Sequence, residues 1–310
     1  MTEAAERFAA DLAALAPPGA RLGIAVSGGP DSLALLLLAA HARPGQVEAA
    51  TVDHRLRPGS AADAAHVAAI CADLNLAHAT LTARWIEPPT TNLQASAREE
   101  RYALLTDWAR ERQLTAVATA HHADDQAETL LMRLARGAGI AGLGGARPSR
   151  PLTDTIALIR PLLTWRRANL AAIVARAGLT PLDDPANRDP RHDRARLRAM
   201  LADADWADPA RLAASASHLR DADEAIEWIT ATLAETRLIR TAEAITLDPV
   251  GLPRELQRRL LLLAFEDRPR GPDLMRALDA LTEGRTITLG ALKLEGGATW
   301  RVTKAPPRMR

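Results

Sequence analysis

Residues 22–40 read LGIAVSGGPDSLALLLLAA, which is an apolar run, a glycine-containing turn and a second apolar run. The first run predicts a β-strand over Leu22–Val26. The second run, from Leu33 to Ala40, predicts a buried helix, because it is far shorter than the roughly 20 residues that cross a bilayer. A strand that passes through a short turn into a helix is the opening unit of a parallel β/α/β fold.

This unit repeats as far as about residue 120. Further strands are predicted at 47–52, 76–82 and 115–120, each separated from the next by a segment with helical spacing. We therefore predict an α/β fold whose doubly wound, mostly parallel sheet is Rossmann-like. Such open sheets bind their ligands at the carboxyl ends of the strands, so functional residues are expected just after the first, second and fourth strands.

The pattern changes after an arginine-rich segment that ends near residue 198. Beyond it, helices are predicted at 253–265 and 272–281, and short strands at 286–289 and 300–303. We therefore predict two domains, a larger ligand-binding domain over residues 1–200 and a smaller, mainly helical α+β domain over residues 201–310. In the first domain, a weaker strand is also predicted at 156–159 and a helix at 165–177.

The composition limits the classes of function. The 310 residues carry 39 lysine and arginine side chains against 38 aspartate and glutamate side chains, so the formal net charge is +1 and any nucleic-acid contact must be a local patch. The single cysteine, Cys71, excludes an internal disulfide, a multi-cysteine zinc site and a cysteine-ligated iron–sulfur cluster. The acidic N-terminal segment lacks the features of a signal peptide, so we expect a cytoplasmic protein with no membrane contact.

The turn Ser27–Ser32 (SGGPDS) is the strongest local signal. A glycine turn that opens a helix presents free backbone N–H groups and the positive end of the helix dipole, which suits phosphate. Asp31 adds a hard oxygen ligand for Mg²⁺ that bridges phosphates. A Walker A loop is excluded, because that pattern needs a lysine and the first lysine is Lys293. The structural alternative is a tight turn in which Asp31 or Ser32 caps the helix.

A group of ionisable residues follows the fourth strand, in the run His121–Thr129 (HHADDQAET). If a helix begins near Asp124, then Asp125 and Glu128 share one of its faces. Two carboxylates and a histidine could hold an ammonium group or a metal ion, or could act as acid and base. The structural alternative is that Asp124 caps the helix and the other acids favour its dipole.

Two further segments are expected at the same edge of the sheet. Asp53 and His54 close the second strand. Arg98 and Arg101 lie three residues apart in the helix before the fourth strand, where both can face one phosphate or carboxylate. Considered alone, each of these two segments is typical of charged residues exposed to solvent. The glycine run 137–145 matches Gly-x-Gly-x-x-Gly but follows a helix, so we predict a flexible connection in place of a dinucleotide site.

SGGPDS resembles the signature of the PP-loop, or N-type ATP pyrophosphatase, superfamily, whose members split ATP to AMP and pyrophosphate. A longer series of motifs is similar in order and spacing to the tRNA(Ile)-lysidine synthetase family over roughly residues 20–200. In chain order the motifs are SGGPDS (27–32), VDHRLR (52–57), AREERY (97–102), HHADDQAET (121–129), RPLL (160–163) and DDPANRDPRHDRARLR (183–198).

That family adenylates the C2 oxygen of the wobble cytidine in an isoleucine tRNA with a CAU anticodon, and free lysine then displaces AMP to give lysidine. The resemblance therefore implies ATP and Mg²⁺ as cofactors, and tRNA(Ile) and free L-lysine as partners. It implies ATP contacts from Ser27, Gly28, Gly29, Pro30, Asp31, Ser32, Asp53 and His54, with Mg²⁺ held by Asp31. It implies catalytic roles for Asp31, Arg98, Arg101, His122, Asp125 and Glu128, of which Asp125 and Glu128 also hold the lysine amine.

An arginine strip closes the first domain and has two interpretations. It could neutralise tRNA phosphates, or it could form a linking helix whose arginines pair with nearby acids. The residues assigned to tRNA by the first interpretation are Arg188, Arg191, Arg194 and Arg198. The second domain is also expected to contact tRNA. Longer family members carry a further C-terminal domain, and this sequence is similar to the shorter members.

Three other functions are open on the sequence alone. A different PP-loop enzyme, such as a tRNA sulfur-transferase, commonly uses cysteine pairs, which this chain lacks. An ATP-sensing module without chemistry is disfavoured by the carboxylates after the fourth strand. A metal hydrolase could be built on His121, His122, Asp124 and Asp125. The sequence also leaves the oligomeric state open, a homodimer included.

Overall fold

The computed structural model describes residues 2–56, 59–85, 93–183 and 193–305. The chain divides into two compact units, Met1–Arg220 and Asp221–Arg310. The domain boundary predicted after residue 200 lies inside the first unit. Helix Pro209–Arg237 runs without a break through the division, so no change of secondary structure marks it.

The first unit alternates strands and helices as the sequence predicts. Its strands are β1 (Leu22–Ala25), β2 (Val47–Asp53), β3 (Ala77–Thr82), β4 (Ala116–Ala118), β5 (Ser149–Pro151) and β6 (Ala157–Ile159). Its helices are α1 (Thr2–Ala13), α2 (Pro30–Ala42), α3 (Ser60–Asp73), α4 (Leu93–Glu111), α5 (Ala123–Leu134), α6 (Ile140–Leu143), α7 (Arg167–Arg176), α8 (Asp193–Ala202) and the first part of α9 (Pro209–Arg237). The five predicted strands match β1, β2, β3, β4 and β6, with ends that differ by two residues or fewer.

The six strands form one sheet in the order β3-β2-β1-β4-β6-β5. All neighbours are parallel except β5 and β6, which are antiparallel. The chain moves outward from β1 to β2 and β3, and then crosses to the other side of β1 to form β4. This reversal is a topological switch point, where the loops after β1 and β4 diverge and leave a crevice that suits a ligand. The predicted doubly wound, mostly parallel sheet is confirmed.

Side chains alternate between the two faces of this sheet and build a core on each face. On one face, Leu22 and Ile24 of β1 pack with apolar residues of α1, α2 and α7. On the other face, Val117 of β4 packs with Trp108 of α4. Gly23 of β1 faces this second core, where an added Cβ would lie 2.5 Å from the Trp108 ring. Glycine at this position therefore lets the indole lie directly against the strand.

Helix α2 contains the apolar run Leu33–Ala40, and it is the central helix of the first core. Most of its residues are buried, because α1, α7 and the sheet surround it. A helix enclosed in this way needs no polar face, which explains why the run lacks helical amphipathicity. In the described part of the chain, no helix is both long and apolar enough to cross a membrane.

The glycine run 137–145 is hydrogen-bonded to α5. Arg133 of α5 donates a hydrogen bond of 2.5 Å to the carbonyl oxygen of Gly142. Gln126 of α5 exchanges two hydrogen bonds with the backbone of Ala146, at 3.0 and 2.8 Å. Side chains of α5 thus hydrogen-bond one carbonyl group of the run and the backbone of the residue that follows it, and the flexibility of the connection stays a prediction.

The second unit combines a five-stranded antiparallel sheet with helices, in the order β7-β8-β11-β10-β9. The strands are β7 (Leu238–Arg240), β8 (Ile245–Leu247), β9 (Thr286–Leu289), β10 (Leu292–Glu295) and β11 (Trp300–Lys304), and the helices that follow α9 are α10 (Arg254–Leu262) and α11 (Gly271–Thr282). Its core contains Trp300, Leu281 and Leu294. The predicted α+β character is confirmed, although only β9 and β11 of the strands are predicted, because the others are too short to show a period.

Candidate active site

Most of the predicted site residues lie in two loops and in one helix at the carboxyl edge of the first sheet. The loop after β1 holds Ser27–Gly29 and leads into α2, and the loop after β4 holds His121 and His122 and leads into α5. These loops flank the switch point, because β1 and β4 are neighbours. Arg98 and Arg101 reach the same edge, since α4 returns from the carboxyl end of β3 to the amino end of β4.

The loop after β1 has a backbone that requires glycine at one position. Gly28 has a φ of +84°, and its carbonyl oxygen accepts a hydrogen bond of 2.8 Å from the N–H of Leu182. A Cβ on Gly28 would lie 2.4 Å from Cδ1 of Leu182. Gly29 precedes α2, and no side chain of the described residues caps this helix. The N–H groups of its first turn are therefore free to bind an anion.

Two serines connect this loop to α2. Ser32 Oγ accepts a hydrogen bond of 3.2 Å from the N–H of Ser27 and donates one of 3.0 Å to the carbonyl oxygen of Gly29. The two hydroxyl oxygens of the serines lie 3.3 Å apart. Ser32 lies inside α2, so it supports the loop and does not cap the helix as the structural alternative required.

Asp31 and His122 join the two loops. Oδ2 of Asp31 lies 3.4 Å from Nε2 of His122, which is only 2% exposed. Burial lowers the pKa of His122, but the hydrogen bond with Asp31 and the negative charges of Asp125, Asp31 and Asp124 outweigh burial and raise this pKa above its usual value. Oδ1 of Asp31 is buried and has no hydrogen-bond partner among the described residues. A free carboxylate oxygen beside an uncapped helix fits Mg²⁺ bound to phosphates.

His122 also sets the start of α5. Its backbone N–H donates to Oδ2 of Asp125 at 3.1 Å, and the N–H of Asp125 donates to Nδ1 of His122 at 3.4 Å, which together form a capping box. The helix therefore begins at Ala123, one residue before the predicted start. Asp124 does not cap it. Instead, Asp124 accepts a hydrogen bond of 2.9 Å from the backbone N–H of Arg167, at the start of α7.

Glu128 is a buried carboxylate that two arginines of α8 hold. Its side chain is 2% exposed. Arg198 donates hydrogen bonds to both oxygens of Glu128, at 2.8 and 3.4 Å, and Nε of Arg194 lies 3.3 Å from Oε2. The positive charge of Arg198 also interacts with Asp125 and Asp31. The carboxylates expected to hold a lysine amine thus already face a guanidinium, and two arginines expected to contact tRNA are engaged with α5.

A group of cationic side chains lies near His121. The guanidinium carbons of Arg98, Arg101 and Arg150 lie 5.1, 5.1 and 4.8 Å from the centre of the Tyr102 ring. Burial lowers the pKa of His121 to about 3, and nearby arginine charges act in the same direction against the charge of Asp125. His121 is therefore neutral near pH 7, unlike a histidine in water, part of which is protonated at that pH.

Asp53 and His54 occupy the end of β2. Asp53 is 6% exposed, and its Oδ1 accepts a hydrogen bond of 2.9 Å from the N–H of Arg55. Burial raises the pKa of Asp53, but the hydrogen bonds from Ser60 and the Arg55 N–H outweigh it and lower this pKa. Burial and the charge of Arg101 lower the pKa of His54. Asp53 therefore shapes the turn after β2, and His54 lies near the cationic group.

The predicted residues thus form two groups, one around His122 and one around Tyr102. Arg188 and Arg191 lie outside the described residues.

Sequence reasoning missed Arg150 and Arg160 as neighbours of Tyr102. Arg160 directly follows β6, so its place after a parallel strand was an available signal. Arg150 lies on β5, which the sequence did not predict.

A metal hydrolase centre has no support in this arrangement. Within the described ranges, no group of three or more His, Cys, Asp and Glu side chains is arranged to hold a metal ion. The four residues considered for such a centre include Asp124, which binds the backbone of α7. Mg²⁺ that bridges phosphates needs only one or two protein carboxylates, because phosphates and water supply its other ligands.

The chain is similar to known proteins over nearly its whole length. The family model described as a PP-loop domain matches residues 2–204. The tRNA(Ile)-lysidine synthase of Novosphingobium aromaticivorans is 48% identical over 314 residues, which cover 99% of this chain and 95% of that protein. The tRNA(Ile)-lysidine synthase of Zymomonas mobilis is 45% identical over 302 residues, which cover 95% of this chain and 91% of that protein.

Among solved structures, a U34-tRNA thiolase from Methanococcus maripaludis is similar to 70% of this chain and 76% of its own, with a TM-score of 0.59 and 16% sequence identity. This similarity shows a shared fold. The much higher identity to the two synthases extends through both compact units. Since both align with this chain along nearly their whole length, the chain belongs to the tRNA(Ile)-lysidine synthase family.

Proposed function

We propose that this protein ligates lysine to C2 of the wobble cytidine in a tRNA(Ile) with a CAU anticodon, with conversion of ATP to AMP and pyrophosphate. The observation that carries the proposal is the pair of Asp31 and His122, where a free carboxylate oxygen and a buried histidine meet beside an uncapped helix at the switch point. This arrangement suits a nucleoside triphosphate with Mg²⁺. The names of relatives that are 45% and 48% identical support the choice of substrate.

The loop Ser27–Ser32 binds the phosphates of ATP in this proposal. The free N–H groups of α2 donate to phosphate oxygens, and the absence of a side chain on Gly29 lets the backbone approach them. Asp31 holds Mg²⁺, which withdraws charge from the reacting phosphorus when it is bound. Asp53 and His54 border the same edge from the end of β2.

The first chemical step transfers AMP to the tRNA. The C2 oxygen of cytidine attacks the α-phosphorus of ATP, so one P–O bond forms and the P–O bond to pyrophosphate breaks. Negative charge develops on the transferring group. Arg98 and Arg101 stabilise it, because their guanidinium groups are already placed at this edge. His122 contacts Asp31 through Nε2, so it positions the Asp31 carboxylate beside the phosphates.

The second step replaces AMP with lysine. An amine of lysine first loses one proton to water and then attacks C2, so a C–N bond forms, the C2–O bond breaks and AMP leaves with the oxygen. Asp125 and Glu128 hold the lysine, since they supply two carboxylates on one face of α5. Arg198 already pairs with Glu128, so the lysine ammonium takes over part of that contact when it binds.

The partners follow from this reaction. Arg188 and Arg191 contact tRNA phosphates in the proposal, while Arg194 and Arg198 support Glu128. The second unit provides further tRNA contacts.

We place the reaction in the cytoplasm, where ATP, lysine and tRNA are available. Light scattering of the purified protein tests whether it forms a homodimer.

Sulfur transfer to tRNA is the alternative that the fold similarity raises, because the thiolase of similar fold carries a [4Fe–4S] cluster. This chain has only Cys71, which is buried in α3. Burial raises the pKa of this thiol to about 11, so it stays protonated and is a weak nucleophile. One buried thiol also cannot supply the several thiolates that a cluster needs. The chain therefore lacks the groups for that chemistry.

The test measures ATP products with purified protein, Mg²⁺ and an unmodified tRNA(Ile) transcript that carries a CAU anticodon. We expect pyrophosphate release to require the tRNA, and release of free AMP to require lysine as well. The Asp31→Ala variant should lose both. Formation of ADP, or ATP turnover that does not depend on tRNA, would contradict the proposal.

A further inference from the structure

Four arginines surround Tyr102 at the carboxyl edge of the sheet, and we name them the arginine cluster. They come from three elements, with Arg98 and Arg101 on α4, Arg150 on β5 and Arg160 directly after β6. No carboxylate among the described residues forms an ion pair with any of the four. Other arginines of the first unit do form ion pairs with carboxylates. Their N···O distances range from 2.5 to 3.8 Å, and the pair of Arg198 with Glu128 is 2.8 Å long. The arginine cluster is therefore a concentration of uncompensated positive charge.

Two buried donor atoms in the cluster, Nε of Arg101 and Nε of Arg160, have no hydrogen-bond partner among the described residues. Arg160 also contacts the hydroxyl of Tyr102 by a side-chain hydrogen bond. Arg160 is only 4% exposed, and its Nη1 is fixed by a hydrogen bond of 2.5 Å to the carbonyl oxygen of Arg147. Buried polar groups in folded proteins are nearly always hydrogen-bonded. Two unpaired guanidinium donors beside the same ring therefore indicate a ligand that accepts hydrogen bonds.

The electrostatics of the cluster favour an anion. Burial and the charges of Arg150 and Arg98 lower the pKa of Arg160, against the effect of Tyr102. Burial raises the pKa of Tyr102, but the charges of Arg101, Arg98 and Arg160 outweigh it and lower this pKa. The pKa of Tyr102 is lowered in spite of burial, which shows a positive potential at its hydroxyl. An entering anion relieves the repulsion among the guanidinium groups and pairs with their free N–H groups.

The strands that carry Arg150 and Arg160 favour the RNA backbone over ATP as the source of the phosphate. Strand β4 separates β6 from β1, and both β4 and β6 separate β5 from β1. With a strand spacing of about 4.8 Å, the backbones of Arg160 and Arg150 lie about 10 and 14 Å across the sheet from β1, and the two side chains extend from that side to Tyr102. Arg98 is exposed, so the cluster reaches the surface where a polynucleotide can approach.

We propose that Arg150 and Arg160 bind a backbone phosphate of the tRNA close to the nucleotide that is modified, beside Arg98 and Arg101, which face the transferring phosphoryl group. Phosphate contacts fix the register of a nucleic acid, so this contact positions the cytidine against the bound ATP. The inference rests on the proposed function, because it takes tRNA as the substrate. Arg150 and Arg160 act here as binding residues.

The test compares the full-length Arg150→Gln variant with wild type in equilibrium binding of unmodified tRNA(Ile) over a series of salt concentrations. Loss of one phosphate contact should weaken binding about fourfold at 0.15 M salt and reduce the slope of log K against log salt by about 0.7. Arg150→Lys keeps the charge and should restore the slope. Arg160→Gln should behave like Arg150→Gln where it folds, as judged by its melting temperature. Affinity for MgATP should be unchanged in all three variants.

The matched control is Arg176→Gln, which removes an exposed arginine in the last turn of α7, at the amino edge of the sheet. It should leave the salt slope at the wild-type value. The inference is overturned if Arg150→Gln keeps the wild-type affinity and slope, if Arg176→Gln weakens binding equally, or if MgATP affinity falls in place of tRNA affinity. Wild-type protein that modifies tRNA while Arg150→Gln binds normally would refute this inference alone. Wild-type protein that binds tRNA but incorporates no lysine would refute the proposed function.

Discussion

Oδ2 of Asp31 lies 3.4 Å from Nε2 of His122, and this contact joins the loop after β1 to the loop after β4. The two residues are 91 positions apart in the chain, and they meet because β1 and β4 are adjacent parallel strands. The other oxygen of Asp31 has no partner among the described residues. The contact therefore holds the carboxylate in place and leaves one oxygen free, as the proposed Mg²⁺ site requires.

Removal of the Asp31 charge should lower the pKa of His122. In the Asp31→Asn variant, a hydrogen bond and a negative charge that favour the protonated ring are lost, so burial has a larger net effect. An NMR titration of the His122 ring in metal-free protein checks this shift. The control is Asp73→Asn, an exposed residue at the end of α3, which should leave the titration unchanged. A His122 pKa equal to that of wild type in Asp31→Asn would contradict the described contact.

Substitution of Gly28 should be more costly than substitution of a glycine with similar backbone in open space. Gly28→Ala combines a positive φ of +84° with a Cβ 2.4 Å from Leu182, whereas Gly45→Ala has a φ of +72° and meets nothing within 4 Å. We expect Gly45→Ala to lower the free energy of unfolding by about 1–2 kcal/mol. Gly28→Ala should lose about 1–3 kcal/mol more, because of the clash.

Urea denaturation of the two glycine variants measures this difference. Gly28→Ala should also weaken MgATP binding, and Gly45→Ala should not, because only Gly28 lies in the loop that leads into α2. Equal midpoints for the two variants would show that Leu182 moves aside without cost.

Loss of the Glu128 carboxylate should weaken lysine binding and leave ATP binding unchanged. We expect Glu128→Gln to raise the KM for lysine at least about tenfold, which corresponds to about 1.4 kcal/mol, while the Kd for MgATP stays at the wild-type value. Steady-state lysine incorporation and separate MgATP titrations check the two parameters. The control is Asp107→Asn, which removes an exposed carboxylate that pairs with Arg110 on α4. An unchanged lysine KM in Glu128→Gln would show that Glu128 does not bind lysine.

The second unit contains a buried ion pair whose loss should destabilise it. Arg259 donates to Oδ1 of Asp223 at 2.5 Å, and their side chains are 10% and 5% exposed. Asp223→Asn leaves a buried guanidinium without its main counter-charge, so we expect a loss of about 3 kcal/mol in the free energy of unfolding. Glu255→Gln is the matched control, because Glu255 also pairs with Arg259 but is 40% exposed, and it should cost less than about 1 kcal/mol.

Acid should cancel the contribution of Glu255. The hydrogen bond from Arg258 lowers the pKa of Glu255, burial opposes this effect, and the hydrogen bond from Arg259 adds to it, so the pKa falls from 4.5 to about 2. A carboxylate with a lowered pKa stabilises the folded state above its unfolded pKa and loses this effect as the pH falls towards its folded pKa. The stability difference between wild type and Glu255→Gln should therefore shrink between pH 4.5 and pH 2. A difference that is constant over this range would contradict the lowered pKa.

The sequence predicts much of the site because the fold places strand ends together. Asp31 and His122 follow separate apolar runs, and the inference that those runs are parallel strands is enough to bring the two residues to one edge. The same reasoning correctly places Arg98 and Arg101 at that edge, because the helix that carries them must return to the next strand. These predictions depend on periodicity and connectivity, both of which are local properties of the sequence.

Other features depend on contacts that no local pattern encodes. The pair of Arg198 and Glu128 joins residues 70 positions apart through side chains of two helices. Arg150 lies on a three-residue strand, which is too short to show alternation. The start of α5 is one residue early because His122 caps it, and histidine is not among the residues that usually cap a helix. Tertiary geometry decides each of these features.

Mass spectrometry of the digested tRNA measures whether this chain attaches lysine to a cytidine of tRNA(Ile). Unmodified tRNA(Ile) with a CAU anticodon is incubated with the wild-type protein, ATP, Mg²⁺ and isotopically labelled lysine, in parallel with the Asp31→Ala variant. We expect one new nucleoside with the mass of cytidine plus labelled lysine less one water, at the wobble position and only with wild type. An unaltered cytidine at that position, while the protein binds both ATP and tRNA, would refute lysine attachment by this chain.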